Sequence, residues 1–210
     1  MKTTTEEKPL ENLENEIVEY IINTPHNANP NVVRSMVRAA ADNVSGTGTD
    51  VETMWTAIIE RGDAQVTKLP DAVTKIGSYA FYNYTKLTSI SLPNSITSIG
   101  DYAFYTCTNL VSISLPNSIT SIDRSAFYMC TKLALTSLPS SITSIDIFAF
   151  SRCPGLTELT FKGTPTTIDS RAFNSCTNLK TINVPWAEGA VKNAPWGATN
   201  ATINYNYRGG

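Results

Sequence analysis

The chain has 210 residues, 41% of them hydrophobic and 16% charged, with a formal net charge of -2. That is enough apolar material for one substantial core, and without a run of Lys and Arg the chain lacks the positive field that phosphate binding needs, so no nucleic acid partner is expected. No segment is apolar for the length of a membrane span, and MKTTTEEKPLENLENE at the start has no secretory apolar stretch. Membrane insertion and ordinary export are therefore not expected, and location stands between a cytoplasmic or virion-associated protein and a surface protein whose leader has been removed.

Residues 1–63 read as a helical cap or assembly segment. Leu10, Leu13, Ile17, Tyr20 and Ile21 have helical spacing, as do Val32, Val33, Met36, Val37 and Ala40, and then Val51, Met54, Trp55, Ile58 and Ile59. Asn29 and Pro30 suit the start of the second helix, and Thr49 with Glu52 forms a capping box for the third. These helices are the expected route to any oligomer. Arg61-Gly62-Asp63 spells an integrin-type tripeptide, but it falls where the third helix stops, with Gly in the left-handed position.

From Ala64 to Val191 the chain repeats. The pair Ala-Phe recurs at even intervals, beginning at Ala80, Ala103, Ala126, Ala149 and Ala172. The same step joins Leu87, Leu110, Leu133, Leu156 and Leu179, and also Ile76, Ile99, Ile122, Ile145 and Ile168. Each unit reads Leu-x-x-Ile-x-Leu-Pro, a turn, Ile-x-x-Ile, a turn, then Ala-Phe-x-x-Cys. Alternation before the proline predicts a short strand, which the proline ends because it cannot donate to a ladder. One such coil cannot bury its apolar face, so the coils must stack with parallel strands ~4.8 Å apart, turning every column into a ladder. The expected fold class is α+β: a leucine-rich-repeat solenoid of 23-residue coils with one parallel strand face, preceded by the helical segment.

Two units depart from the pattern. In the unit from Lys132 to Pro139 the usual Ile is Thr136 and an apolar residue comes one place early at Leu135, which predicts a bulge or an exposed leucine. In the next, Lys162 and Pro165 replace a Pro and an Ile. Residues 192–210 are a degenerate capping repeat, with Tyr205 and Tyr207 in register with Ile182 and Val184, and with Trp186 and Trp196 covering the end of the core.

The columns resemble the BspA-like leucine-rich repeats, which carry the same Leu-x-x-Ile-x-Leu-Pro and Ala-Phe-x-x-Cys elements. That resemblance implies a non-enzymatic interaction or adhesion module of a bacterial surface, and segments at both ends look similar to those flanking such repeats in gut-bacterial and phage or prophage structural proteins.

Cys107, Cys130, Cys153 and Cys176 share the repeat step, and stacked they would point in parallel into the core, so buried free thiols are expected rather than disulfides or zinc. Gly77, Gly100, Asp123, Asp146 and Asp169 precede the Ala-Phe turns, where Asp caps free amides and Gly tolerates the same position; calcium ligation and paired-acid glycan cleavage are the alternatives. Asn200-Ala201-Thr202 matches a glycosylation acceptor pattern. No catalytic residue, metal ligand or cofactor is assigned. The candidate binding surface is the outward strand face: Ser89, Ser91, Ser112, Ser114, Leu135, Ser137, Glu158, Thr160, Thr181 and Asn183. Its neutral hydroxyls suit a protein or glycan partner on a cell surface; the other readings are a solenoid enzyme using the Asp column and a purely structural spacer.

Overall fold

The computed structural model describes residues 75–78, 80–85 and 87–209. The three predicted helices, the weak first strand at 64–69 and Arg61-Gly62-Asp63 lie outside the described residues. Among the described residues there is no helix. This part of the chain is a parallel β-solenoid, so the α component of the expected class rests on the segment before it.

The stacked coils build two sets of ladders, where the sequence pattern predicted one strand face. The unexpected ladder is the more regular. Lys75–Ile76 (β1), Ser98–Ile99 (β3), Ser121–Ile122 (β5), Ser144–Ile145 (β7) and Thr167–Ile168 (β9) form a five-stranded parallel sheet in that order. Partners are one repeat step apart throughout, as in Ile76↔Ile99 and Ile99↔Ile122. Only the second residue of each strand is buried. Two-residue strands carry too little alternation to be recognised from pattern, so this segment reads as a turn in the sequence.

The predicted strand face exists but is broken. Ser89–Ser91 (β2) pairs with Ser112–Ser114 (β4). Ser137–Leu138 (β6), Glu158–Phe161 (β8), Thr181–Asn183 (β10) and Thr202–Asn204 (β11) form a separate four-stranded sheet, ordered β11-β10-β8-β6. Lys162 explains the length of β8: unlike the prolines of its column it has an N–H, which donates to the Leu138 carbonyl at 3.0 Å.

The turns between coils hold a third set of contacts. Asn83, Thr106, Met129, Arg152 and Ser175 all have φ between 55° and 60°. In that left-handed region the N–H turns toward the next coil: Thr106 donates to Tyr128 C=O at 2.8 Å and Arg152 to Asn174 C=O at 2.8 Å. None of these positions is glycine, so residue type does not signal them. Gly100 has the opposite logic: its φ is ordinary, but a Cβ there would lie 2.8 Å from the Ser78 nitrogen.

The core is a set of ladders. Phe104, Phe127, Phe150 and Phe173 are fully buried, and Phe81 continues their stack with ring centroids 5.0 to 5.4 Å apart. Leu87, Leu110, Leu133, Leu156 and Leu179 are each 0% exposed, contributing about 1.5–3 kcal/mol apiece by burial. The four cysteines are buried free thiols. Each donates to the carbonyl of the phenylalanine one coil earlier: Cys107 to Phe81, Cys130 to Phe104, Cys153 to Phe127 and Cys176 to Phe150, at 3.0 to 3.1 Å. The column thus satisfies backbone acceptors as well as filling space.

At the end, Trp186 and Trp196 are buried and pack edge to face, 6.3 Å apart, with Phe161 against both. The register of the final coil differs from expectation. Ile203, not Tyr205, pairs with Ile182, a shorter step than the regular one. Small residues replace the large columns here, since the Ala201 N–H to Ala198 C=O bond stands where Leu179 to Cys176 stood one coil earlier. The coil closes more tightly around them and uses fewer residues.

Candidate functional site

The broken strand face contains a groove of about 510 Å³. It is lined by Ser89, Ser91, Ser112, Ser114, Leu135 and Ser137 among the expected residues, together with Ile90, Ile113, Leu115, Asn117, Ala134, Thr136, Pro139 and Lys162. Ser91, Ser112 and Ser114 are exposed, and Ser89 and Ser137 half-buried. The register Ser89↔Ser112 and Ser91↔Ser114 places hydroxyls side by side on neighbouring coils.

Local sequence makes the break. Leu135 takes the inward place that Ile113 holds one coil before, and is 8% exposed. The expectation of an outward Leu135 is therefore corrected: the larger apolar side chain of Leu135 turns in and the polar Thr136 that follows is left exposed. Ala134 N–H still makes the regular one-step bond to Val111 C=O at 2.9 Å, but beyond it the shift leaves β4 and β6 unpaired. By Ser137 the chain is back in register, opposite Thr160. The coil has its usual length, so the bulge is a one-residue slip that corrects itself within the same strand.

The remaining expected residues lie beyond the groove. Asn183 is 2% exposed, which corrects its assignment as an outward group. It donates to Glu158 Oε1 at 2.8 Å and Thr160 Oγ1 at 3.2 Å, and accepts from Asn204 Nδ2 at 2.8 Å. This end of the face is an internally satisfied network, because the final coil lies over it. Glu158 is exposed, and Thr160 and Thr181 are half-buried.

In the sequence Lys162 stands out only as a break in the proline column. It lies on the groove wall, is exposed, and makes no ion pair among the described residues. The signal that could have found it is the charge itself, one coil after the Leu135 irregularity.

Two aspartates of the column accept from turn amides. Asp146 Oδ1 accepts from the Ile147 N–H at 2.6 Å and Asp169 Oδ1 from the Arg171 N–H at 2.9 Å. Asp123 differs: burial raises its carboxyl pKa, a Ser121 hydrogen bond opposes this, and the Asp101 and Asp146 charges add to the rise. Among the described residues no group of three or more His, Cys, Asp or Glu could hold a metal ion. Burial pushes the Cys107 thiol up to about 12 and Cys176 to about 11, with Cys130 and Cys153 also well above the usual 9.0. These are poor nucleophiles at neutral pH. Among the described residues no helix is long and apolar enough to cross a membrane.

Comparison with solved structures matches this geometry to bacterial repeat proteins. A leucine-rich repeat protein of Treponema pallidum is 27% identical with a TM-score of 0.54, the match covering 68% of this chain and 70% of that one. A pneumococcal vaccine antigen, PcpA, is 24% identical with a TM-score of 0.49, over 64% of this chain and 32% of the antigen. A leucine-rich cell surface protein of Faecalibacterium prausnitzii is 31% identical with a TM-score of 0.43, over 56% and 38%. No curated protein matches. The family model described as BspA type Leucine rich repeat region matches residues 64–190 in six copies. With the columns, the stacked coils and this match in agreement, the chain belongs to the BspA-type leucine-rich repeat family.

Proposed function

We propose that the chain is a non-enzymatic attachment module that binds a protein on a cell surface through its strand face. The observation that carries this reading is the groove: exposed hydroxyls on adjacent rigid strands, above a core that leaves them no freedom to rearrange. Such a face binds with little ordering cost, because its backbone is already fixed. The Asp column, engaged in turn capping at Asp146 and Asp169, favours this over glycan cleavage. Family membership supports an interaction role. In this reading residues 1–63 assemble or anchor the module, on a bacterial surface or a phage or prophage particle, and light scattering on the full chain tests the assembly.

The main test is flow cytometry of the labelled full chain on bacterial and epithelial cells. Ser89→Arg with Ser112→Arg and Thr181→Arg should abolish binding, while Thr143→Arg with Asn174→Arg, on other faces, should leave it intact. Wild-type protein that binds no cell, or a strand-face variant that binds as well, overturns the reading. A purely structural spacer predicts that second outcome.

A further inference from the structure

Three departures from the repeat meet at one place. Leu135 comes a residue early, Thr136 replaces the column isoleucine, and Lys162 replaces the column proline, and all three line the same groove. None of the three is what the repeat supplies at that position in the neighbouring coils. The first two interrupt a parallel ladder, and the third sets a charge beside it.

The interruption leaves backbone groups on the floor of the groove without ladder partners. Among the described residues β4 pairs only with β2, and β6 only with β8. Of the ladder expected between β4 and β6, the bond from Ala134 N–H to Val111 C=O remains. Main-chain donors and acceptors on the facing edges, around Ile113 and Ser137, have lost the partners that the regular step supplies elsewhere. Main-chain donors and acceptors without ladder partners are available to hydrogen-bond a polar ligand that lies across them.

We propose that this interrupted rung docks an extended segment of a partner protein bearing an acidic side chain. The segment crosses the coils along the row Ser91, Ser114 and Ser137, with its carboxylate on Lys162. The register supports the row, since Ser91 pairs with Ser114 and Ser137 with Thr160. Charge points to the occupant: among the described residues Lys162 is the one charged residue lining the groove, and it makes no ion pair there. Among the described residues no aromatic ring lines the groove, so a sugar finds no stacking platform there, whereas a peptide finds hydroxyls and main-chain groups without ladder partners. From β2 to β8 the groove spans three coil steps, ~14 Å at ~4.8 Å each, which about four extended residues cover.

This proposal rests on the strand face being the interaction surface. Its test is NMR titration of the isotope-labelled full chain with a capped hexapeptide alternating serine and glutamate, its glutamine counterpart, and a sialylated trisaccharide. The glutamate peptide should shift the amides of Ser114, Ser137 and Lys162. The glutamine peptide, or the glutamate peptide on Lys162→Gln, should bind about tenfold more weakly. Leu135→Thr with Thr136→Ile restores the repeat pattern and should close the rung and abolish the shifts; Lys162→Gln, at an exposed position, keeps the test open should that pair fold poorly. Shifts elsewhere, none at all, equal binding of the glutamine peptide, or binding of the trisaccharide in its place would each overturn the proposal. Cell binding that is lost with Thr181→Arg yet survives both Lys162→Gln and the closed rung would overturn it while leaving the attachment reading standing.

Discussion

Raising the pH should destabilise this protein through its cysteine ladder. Burial holds Cys107 at about 12 and Cys176 at about 11, with Cys130 and Cys153 also well above the usual 9.0. A group whose pKa is raised by folding contributes stability that is full below its unfolded pKa and is lost as pH rises toward the folded value. Here the unfolded chain ionises from about pH 9 while the folded chain does not. At pH 9.5, half a unit above the unfolded value, each thiol shifts the balance by ~0.8 kcal/mol, and four together by ~3 kcal/mol. That is a large part of the ~5–15 kcal/mol that holds a typical domain together. The assay is urea unfolding under reducing conditions at pH 7.5, 8.5 and 9.5. Cys130→Ala with Cys153→Ala should lower stability at every pH but halve the alkaline loss, and tyrosines, common to both chains, cancel in the comparison. An alkaline loss unchanged by the double substitution would refute the reasoning, as would rapid alkylation of the native thiols at pH 8.

Three other outcomes are expected. Phe127→Ala removes a fully buried ring stacked on both sides and should cost about 3–5 kcal/mol; Phe81→Ala, at a half-buried ring, should cost clearly less, both read by urea unfolding. Thr106 is β-branched with φ 57°, so Thr106→Gly should raise stability by about 0.5–1 kcal/mol, the ~1–2 kcal/mol of relieved strain exceeding glycine's entropic penalty. Asp123, whose carboxyl pKa is raised by burial and then by Asp101 and Asp146, contributes stability at low pH that is lost once it ionises. Asp123→Asn should therefore raise the thermal midpoint at pH 7, and that gain should disappear near pH 3.

Much of the fold was legible because side chains carry it. A constant step in the Ala-Phe, Leu and Ile columns permits one arrangement in which each column buries itself, and the phenylalanine and cysteine ladders followed from that. The candidate surface was legible in part: Ser91, Ser112 and Ser114 are exposed as the alternation implied, while Leu135 and Asn183 are buried. Leu135 was ambiguous because a one-residue slip keeps the coil length, and Asn183 because its cover comes from Asn204, a coil later.

The stacking and its period are thus written in residue types alone, since hydrophobic burial reads directly from them. Tertiary structure decided the second ladder, the left-handed turn residues, the shortened final step and the broken rung. The physical reason is common to most of these: they are set by backbone hydrogen bonds between neighbouring coils. Every residue but proline brings the same donor and acceptor to such bonds, so the choice among them leaves little trace in the order of side chains.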